Sequence, residues 1–454
     1  MERTSVIIIG AGFAGLSAAR MLKRRGVNVL ILEARDRVGG RVMSKKTSFG
    51  DTIDLGGQWL SPKHERMLAL CKEYGIHTFP QFNDGKKILD FGGKIESYKN
   101  TIPALPFLSL LDLQSGINKI EKLAKELRLD WEKPAAAHVS LDAQTAEDLK
   151  LRMFQTKPAR TSFDILVRAV FAAEPADISA LFFLYYVQSG TGLMHLAEIN
   201  EGAQQTRIDG GMQQIAIKMA DELEGNILFG QAARAIHQHE DGVIVETADN
   251  AYDADYALVA LSPTLAGRLA YFPELPANKD QLMQRMPMGS VIKCIFTYKK
   301  PFWREEGFSG EFICDQGPLS LGFDDSPEKA EYGAIVGFFS ALQARRWTEQ
   351  LKSERREAAT DQLVRYFGSK AAEVVEYLEL DWPAEVYSRG CYVGYMPPNV
   401  LTQYGKQLRE PHGRIHWAGT ETSEVWNGYI EGAVLSGERV ANVLCRQFGI
   451  DTND

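Results

Sequence analysis

The first sharply patterned stretch of the chain is Val6-Ile7-Ile8-Ile9, an apolar run with no polar interruption. Such a run predicts a strand buried on both faces, as in a parallel sheet. It leads into Gly10-Ala11-Gly12-Phe13-Ala14-Gly15, then a helical pattern through Arg25 that Gly26 ends. Residues 27–32 read as a second strand, closed by Glu33. After Gly56-Gly57-Gln58-Trp59 the periodicity changes, and residues from about 85 to 205 read as largely helical. Ile117, Ile120, Leu123 and Leu127 share one helix face there, and 163–187 is a second long apolar stretch. A glycine turn returns at Gly210-Gly211, followed by a helix and strands through Leu261. Strands and helices alternate again from about 285 to 385, and 414–444 reads as strand, glycine turn and helix.

Composition narrows this picture. At 454 residues the chain suggests two or three domains. Its 45% hydrophobic and 24% charged residues are ordinary for a globular protein. A net charge of −8 gives no reason to expect nucleic acid, and the short basic cluster Lys23-Arg24-Arg25 reads as a solvated helix end. Five scattered cysteines without a CxxC pair, and eight histidines without ligand spacing, predict no metal site. That cysteine usage fits a reduced, cytoplasmic setting. With no secretory leader and no apolar run near the ~20 residues that span a bilayer, the chain is expected to be soluble.

The glycine turn carries the first chemistry. Within a strand–helix–strand unit, Gly10 would allow a tight turn, Gly12 the approach of a pyrophosphate, and Gly15 close helix packing. The helix N-terminus offers N–H groups to phosphate, and Glu33 is placed for a ribose hydroxyl. The segment that follows, Glu33-Ala34-Arg35-Asp36-Arg37-Val38-Gly39-Gly40-Arg41, adds two glycines flanked by arginines, a second place to meet a diphosphate. Lys293, in the strand pattern of residues 289–296, shares a face with Val291 and Ile295, so it reads as buried and in need of a task or a partner. Small residues Gly432, Ala433, Ser436 and Gly437 would let the last helix approach something flat and bulky. Cys391 sits in the turn-rich aromatic stretch Ser388-Arg389-Gly390-Cys391-Tyr392. A free cysteine is most often a small buried hydrophobe.

EARDRVGGR after this unit resembles the FAD-binding start of the flavin amine oxidases. GSVIKC, YKKPFWR, SRGCYVGYMPP with LTQYGKQLR, and WAGTETSEVWNGYIEGAV are similar, in order, to the flavin monoamine oxidase family. The resemblance implies an α/β fold in which a Rossmann-type FAD-binding domain (1–84, 207–285 and 386–454) is interleaved with an α+β substrate domain (85–206 and 286–385). It implies FAD contacts from Gly10, Gly12, Gly15, Glu33, Arg35, Gly39, Gly40, Arg41, Gly57, Gln58, Trp59, Ala233, Trp382, Gly419, Thr420, Glu421 and Ile430. Cys391 stands where the membrane-bound members carry a thioether to FAD, although Arg389 replaces their usual glycine. Tyr392 and Tyr429 would be the two parallel rings of an amine-binding cage, and Lys293 would hold a water near the flavin where dioxygen reacts. Gln204 matches a cavity glutamine. Ala197 and Leu321 stand where the membrane enzymes place bulky gates, which implies a wider or longer channel. Glu198 beside that gate could attract a second cationic amine, though such a glutamate is more often simply solvated.

The implied activity is oxidation of an amine by dioxygen to aldehyde and hydrogen peroxide, with mono-, di- or polyamines open as substrates. The partners are a small amine and dioxygen, with no membrane anchor, since the chain stops at Asp454, and with homodimerisation open. An L-amino-acid oxidase on the same fold remains an alternative if Arg389 turns inward. So does a flavin-containing interaction protein.

Overall fold

A computed structural model describes residues 3–99, 105–129 and 134–451, so Asp454 lies outside the described residues. Its first sheet has eight strands. Thr4–Ile9 lies parallel between Val29–Leu32 and Ala251–Val259, and Ile227–Leu228 extends the sheet beyond Val29–Leu32. Val243–Glu246, Ala235–Gln238 and Ala270–Phe272 continue it on the other side, while Ile415–Trp417 also pairs with Ala251–Val259. The central position of Thr4–Ile9 explains its apolar run: Val6, Ile7 and Ile8 are fully buried, with partners on both edges and packing on both faces. Helix Phe13–Arg24 presents Ala14, Gly15, Ala18 and Ala19 inward and packs on helix Ile430–Gln447. The contact is backbone-close, since a Cβ at Gly437 would stand 2.2 Å from the Ala14 carbonyl oxygen.

The second sheet has seven strands in the order Glu376–Asp381, Val291–Tyr298, Gly333–Ser340, Leu321–Asp324, Phe308–Cys314, Lys86–Phe91 and Lys94–Tyr98. The last two correct the helical expectation for residues from about 85. They form a hairpin in which Phe91 faces Lys94, and Gly92 and Gly93 turn it with φ of 61° and 81°. Two positive-φ residues make this the short turn that suits two twisted strands. Helices Phe107–Glu126, Lys157–Phe171 and Ala180–Ser189 pack on one another around an apolar core of their own. The last is buried nearly all round, and Ser179 Oγ caps it by accepting from the Leu181 and Phe182 amides at 3.1 and 3.2 Å. The first sheet thus draws its strands from residues 4–32, 227–272 and 415–417, and the second from 86–98, 291–340 and 376–381.

Candidate active site

A cavity of about 590 Å³ runs from the C-terminal edge of the first sheet to the face of the second. That edge is where open α/β sheets bind ligands. The three glycines of the first turn have three different surroundings. Gly10 has φ +104°, and a Cβ there would stand 3.0 Å from the Ala260 carbonyl oxygen. At Gly12 the nearest atom is the Gly40 Cα, at 3.9 Å, which leaves the cavity side open. At Gly15, behind the cavity wall, a Cβ would fall 2.0 Å from the Gly10 carbonyl oxygen, so the helix lies directly on the turn. Helix Phe13–Arg24 starts with no side-chain cap and no acid in its first turn, leaving its leading N–H groups for an anion. Glu33 is buried in the wall, accepting from the Ala11 amide at 2.7 Å and the Arg35 amide at 2.9 Å.

The second glycine pair lies across the first. Gly39 donates its N–H to the Ala11 carbonyl at 2.9 Å, and Gly39 and Gly40 have φ of 104° and 58°. Arg35 donates to Ser388 Oγ at 2.9 Å, joining this loop to the Cys391 turn. Arg41 makes a bidentate pair with Glu421, at 2.7 and 3.0 Å, and also donates to the Tyr392 carbonyl at 2.8 Å. Glu421 does not line the cavity; its fully enclosed carboxylate faces Arg41 and the Gly394 amide. Burial works against its charge, yet the guanidinium outweighs it and holds the carboxyl below its usual range. Gly419 and Thr420 do line the cavity, as do Gly57, Gln58, Trp59, Ala233, Trp382 and Ile430. Helix Ile430–Gln447 begins there without a side-chain cap, and its first-turn acid, Glu431, turns away to accept from the Arg66 and Met67 amides.

Lys293 lies on a strand buried along its whole length. Its ammonium donates to the Gly56 carbonyl at 2.9 Å and to Gln58 Oε1. Gln58 in turn donates to Asp325 at 2.8 Å, and Arg207 pairs with Asp325 at 3.0 Å. Burial lowers the Lys293 pKa to about 8, with Asp325 and Asp54 pulling the other way. The sequence calls for a partner to this lysine; Gln58, Asp54 and Asp325 are distant along the chain, and of these only Gln58 stands in a quoted motif, there as an implied cofactor contact.

Tyr392 and Tyr429 both line the cavity, and burial pushes both phenols above their usual range, so they stay neutral. Each ring is held by its own neighbours. Tyr429 packs against Trp426 at 5.3 Å and His64 at 5.6 Å, and Tyr392 meets Phe338 edge-on at 6.4 Å. His64 goes unmarked because it is remote from Tyr429 along the chain, while Trp426 lies just before Tyr429 in the quoted motif without being singled out. Cys391 is in the same wall. Gly390 takes φ +137°, and a Cβ on it would stand 2.4 Å from the Gly289 carbonyl oxygen. Burial drives the thiol up to about 12, partly offset by Arg41 and Lys293. Arg389 is exposed at the rim with φ 56°. Ala197, Gln204 and Leu321 line the remaining cavity. Gln204 donates to the Leu196 carbonyl at 3.0 Å, and its buried amide oxygen accepts from none of the described residues.

Residues 13–445 match the family model of the flavin containing amine oxidoreductases. The chain belongs to that family. It is 42% identical over 442 residues to a probable flavin-containing monoamine oxidase A of Dictyostelium discoideum, covering 97% of each chain. To the human flavin-containing amine oxidase B it is 35% identical, over 99% of this chain and 87% of the other. Among solved structures, the cyclohexylamine oxidase of Brevibacterium oxydans IH-35A superposes with a TM-score of 0.93 at 30% identity, covering 99% of this chain and 100% of that one. A putrescine oxidase double mutant redesigned in cofactor binding also gives 0.93, at 29% identity over 98% of this chain and 99% of that one. This amine oxidase therefore uses FAD and carries out the oxidative deamination of amines, with dioxygen as acceptor. The geometry fits the cofactor on its own evidence: an open glycine cradle at Gly12, two uncapped helix N-termini and a buried acid at the end of the second strand. Among the described residues no helix is long and apolar enough to cross a membrane, and no group of three or more His, Cys, Asp or Glu is placed to hold a metal ion.

Proposed function

We propose that the chain is a soluble cytoplasmic amine oxidase that takes primary amines in a wide cavity and holds FAD through Cys391. The observation that supports this reading is one continuous cavity joining the Gly10–Gly15 cradle to Cys391, Tyr392, Tyr429 and Lys293. FAD, when bound, supplies the two-electron oxidation of the amine and the return of those electrons to dioxygen. The remaining work belongs to the chain. Glu33 receives ribose hydroxyls, and the uncapped N–H groups after Gly12 face the diphosphate. Tyr392 and Tyr429 flank the amine with neutral π faces and keep water out. The Gln204 amide oxygen accepts an amine N–H, and the Lys293 ammonium holds a water on the oxygen-reacting side. Arg389 stays at the exposed rim, which argues against its serving as a carboxylate clamp for amino acids.

Three measurements test this. A peroxide-coupled screen of mono-, di- and polyamines and amino acids should give turnover with amines; turnover confined to amino acids would sink the reading. Acid precipitation or denaturing mass spectrometry should leave FAD on the wild-type chain and none on Cys391→Ala. Burial keeps the Cys391 thiol neutral, so attachment requires its deprotonation beside the flavin, since thiolate is the nucleophile. Yellow colour left wholly in the supernatant would make Cys391 a mere neighbour. Ala197→Ile should lower kcat/KM for bulky amines about tenfold while short amines lose little, since a narrower channel penalises only the ligand that fills it and tenfold is about 1.4 kcal/mol. Equal losses for both would remove the gate from this position.

A further inference from the structure

Lys293 belongs to a group of four interacting charges with Asp325, Arg207 and Asp54, and of the four only Lys293 lines the cavity. Asp325 follows the end of strand Leu321–Asp324, where its amide donates to the Ala334 carbonyl at 2.7 Å. One oxygen of its carboxylate takes both contacts. Oδ1 accepts from Gln58 at 2.8 Å and pairs with Arg207 at 3.0 Å, while Oδ2 is buried and accepts from none of the described residues. Arg207 is also anchored apart from that carboxylate. It donates to the Asp325 and Ser326 carbonyls at 3.1 and 2.7 Å, and its guanidinium lies 5.1 Å over the Phe79 ring.

Gln58 joins the acid to the lysine. Its Nε2 donates to Asp325 and its Oε1 accepts from the Lys293 ammonium, so each end of the amide meets the partner it can use. A reversed amide would set oxygen against carboxylate and N–H against ammonium. The carboxylate thus fixes which way the amide points, and the amide fixes where the ammonium points. The second acceptor of Lys293, the Gly56 carbonyl, belongs to close-packed backbone: a Cβ at Gly56 would stand 2.4 Å from the Arg41 carbonyl oxygen.

Charge acts in the same sense. Burial opposes the Lys293 charge, Asp325, Asp54 and the Cys391 position favour it, and Arg207 opposes it. Asp54 is pushed up to about 6 by burial, so near pH 8 it stays ionised, accepting from Ser44 Oγ and the Met212 amide. Two cations therefore balance two carboxylates. Arginine does not release its proton, so loss of one carboxylate falls on the lysine.

We infer that Asp325, acting through Gln58, is the positioning residue that aims the Lys293 ammonium and keeps it charged for the reaction with dioxygen. The inference rests on the reading of Lys293 as the oxygen-side donor, and it adds a controlling group that does not touch the cavity.

The test is the pH profile of flavin reoxidation in the FAD-loaded protein, followed by stopped flow after anaerobic reduction with amine. The wild-type rate should fall as pH rises through about 8. Asp325→Asn keeps the shape of the side chain and removes its charge. Its inflection should move down by about one unit, the low end of what a neighbouring opposite charge contributes, making reoxidation at pH ~8 about fivefold slower. Arg207→Met breaks the same ion pair from its other end, yet should move the inflection up. A brace would respond alike to both substitutions, whereas control of the lysine charge responds in opposite directions. Asp325→Asn combined with Arg207→Met strands no buried charge, and its inflection should lie between those of Asp325→Asn and the wild type. Anaerobic reduction should stay near the wild-type rate in all three. Single variants that shift the inflection the same way, or not at all, would make the pair a brace and overturn the inference. Should the single variants not fold, an unshifted double variant overturns it alone. If Lys293→Met is slow to reoxidise in any of these cases, the oxygen-side reading of the lysine survives; if Lys293→Met reoxidises like wild type, both fall.

Discussion

Lys293→Met should keep FAD and be reduced by amine under anaerobic conditions at close to the wild-type rate, yet be reoxidised by dioxygen about 10²-fold more slowly, the scale seen when one preorganised donor is removed from a buried site. The side chain is fully enclosed and its ammonium points at the Gly56 carbonyl and Gln58, so methionine fills the space and removes only the charge and donors. The wild-type reoxidation rate should also depend on pH. Burial lowers the Lys293 pKa to about 8, so the ammonium is present below that value and lost as pH rises through it. Reoxidation should slow across the same interval, and the methionine variant should show no such step. Stopped-flow traces with unchanged reoxidation in Lys293→Met would take this residue out of the oxygen site.

The second large effect concerns stability. Glu421→Ala should cost about 3–5 kcal/mol, because it leaves the Arg41 guanidinium without its buried partner. The pair joins three turns: the Arg41 loop, the Gly419-Thr420-Glu421 turn and, through the Tyr392 carbonyl and the Gly394 amide, the Cys391 turn. All three border the cofactor cavity, so FAD retention should fall with stability in urea titrations that follow flavin and protein signals together. Arg41→Met combined with Glu421→Leu should recover much of the loss, since two apolar groups leave no stranded charge. A Glu421→Ala protein as stable as wild type would show that the pair is not what holds the turns.

How much of this could be read along the chain depends on distance in sequence. The Gly10–Gly15 turn and Glu33 are legible because strand, turn, helix and acid follow one another within a single unit. The surroundings of the three glycines differ as the motif requires. Glu421 reads as a cofactor contact because it sits beside Gly419 and Thr420, which line the cavity; in the structure its carboxylate pairs with Arg41, 380 residues away. The hairpin Lys86–Tyr98 hid inside a helical stretch because its strands are short and mixed in polarity, and only Gly92-Gly93 signals the turn.

The threading of the chain has a consequence for biosynthesis. Strand Ala251–Val259 is flanked by Thr4–Ile9, made well before it, and by Ile415–Trp417, made well after it. The uncapped start of helix Ile430–Gln447 and the Arg41–Glu421 pair arrive later still. A nascent chain on the ribosome therefore carries its glycine cradle without a completed pocket until residues 415–447 emerge. Pairings of such sequence separation are slow to form, and incomplete domains of this kind expose apolar surface. Flavin loading must wait until residues 415–447 have been made, so cofactor supply and chaperone protection would govern the yield of active enzyme more than the rate of elongation does.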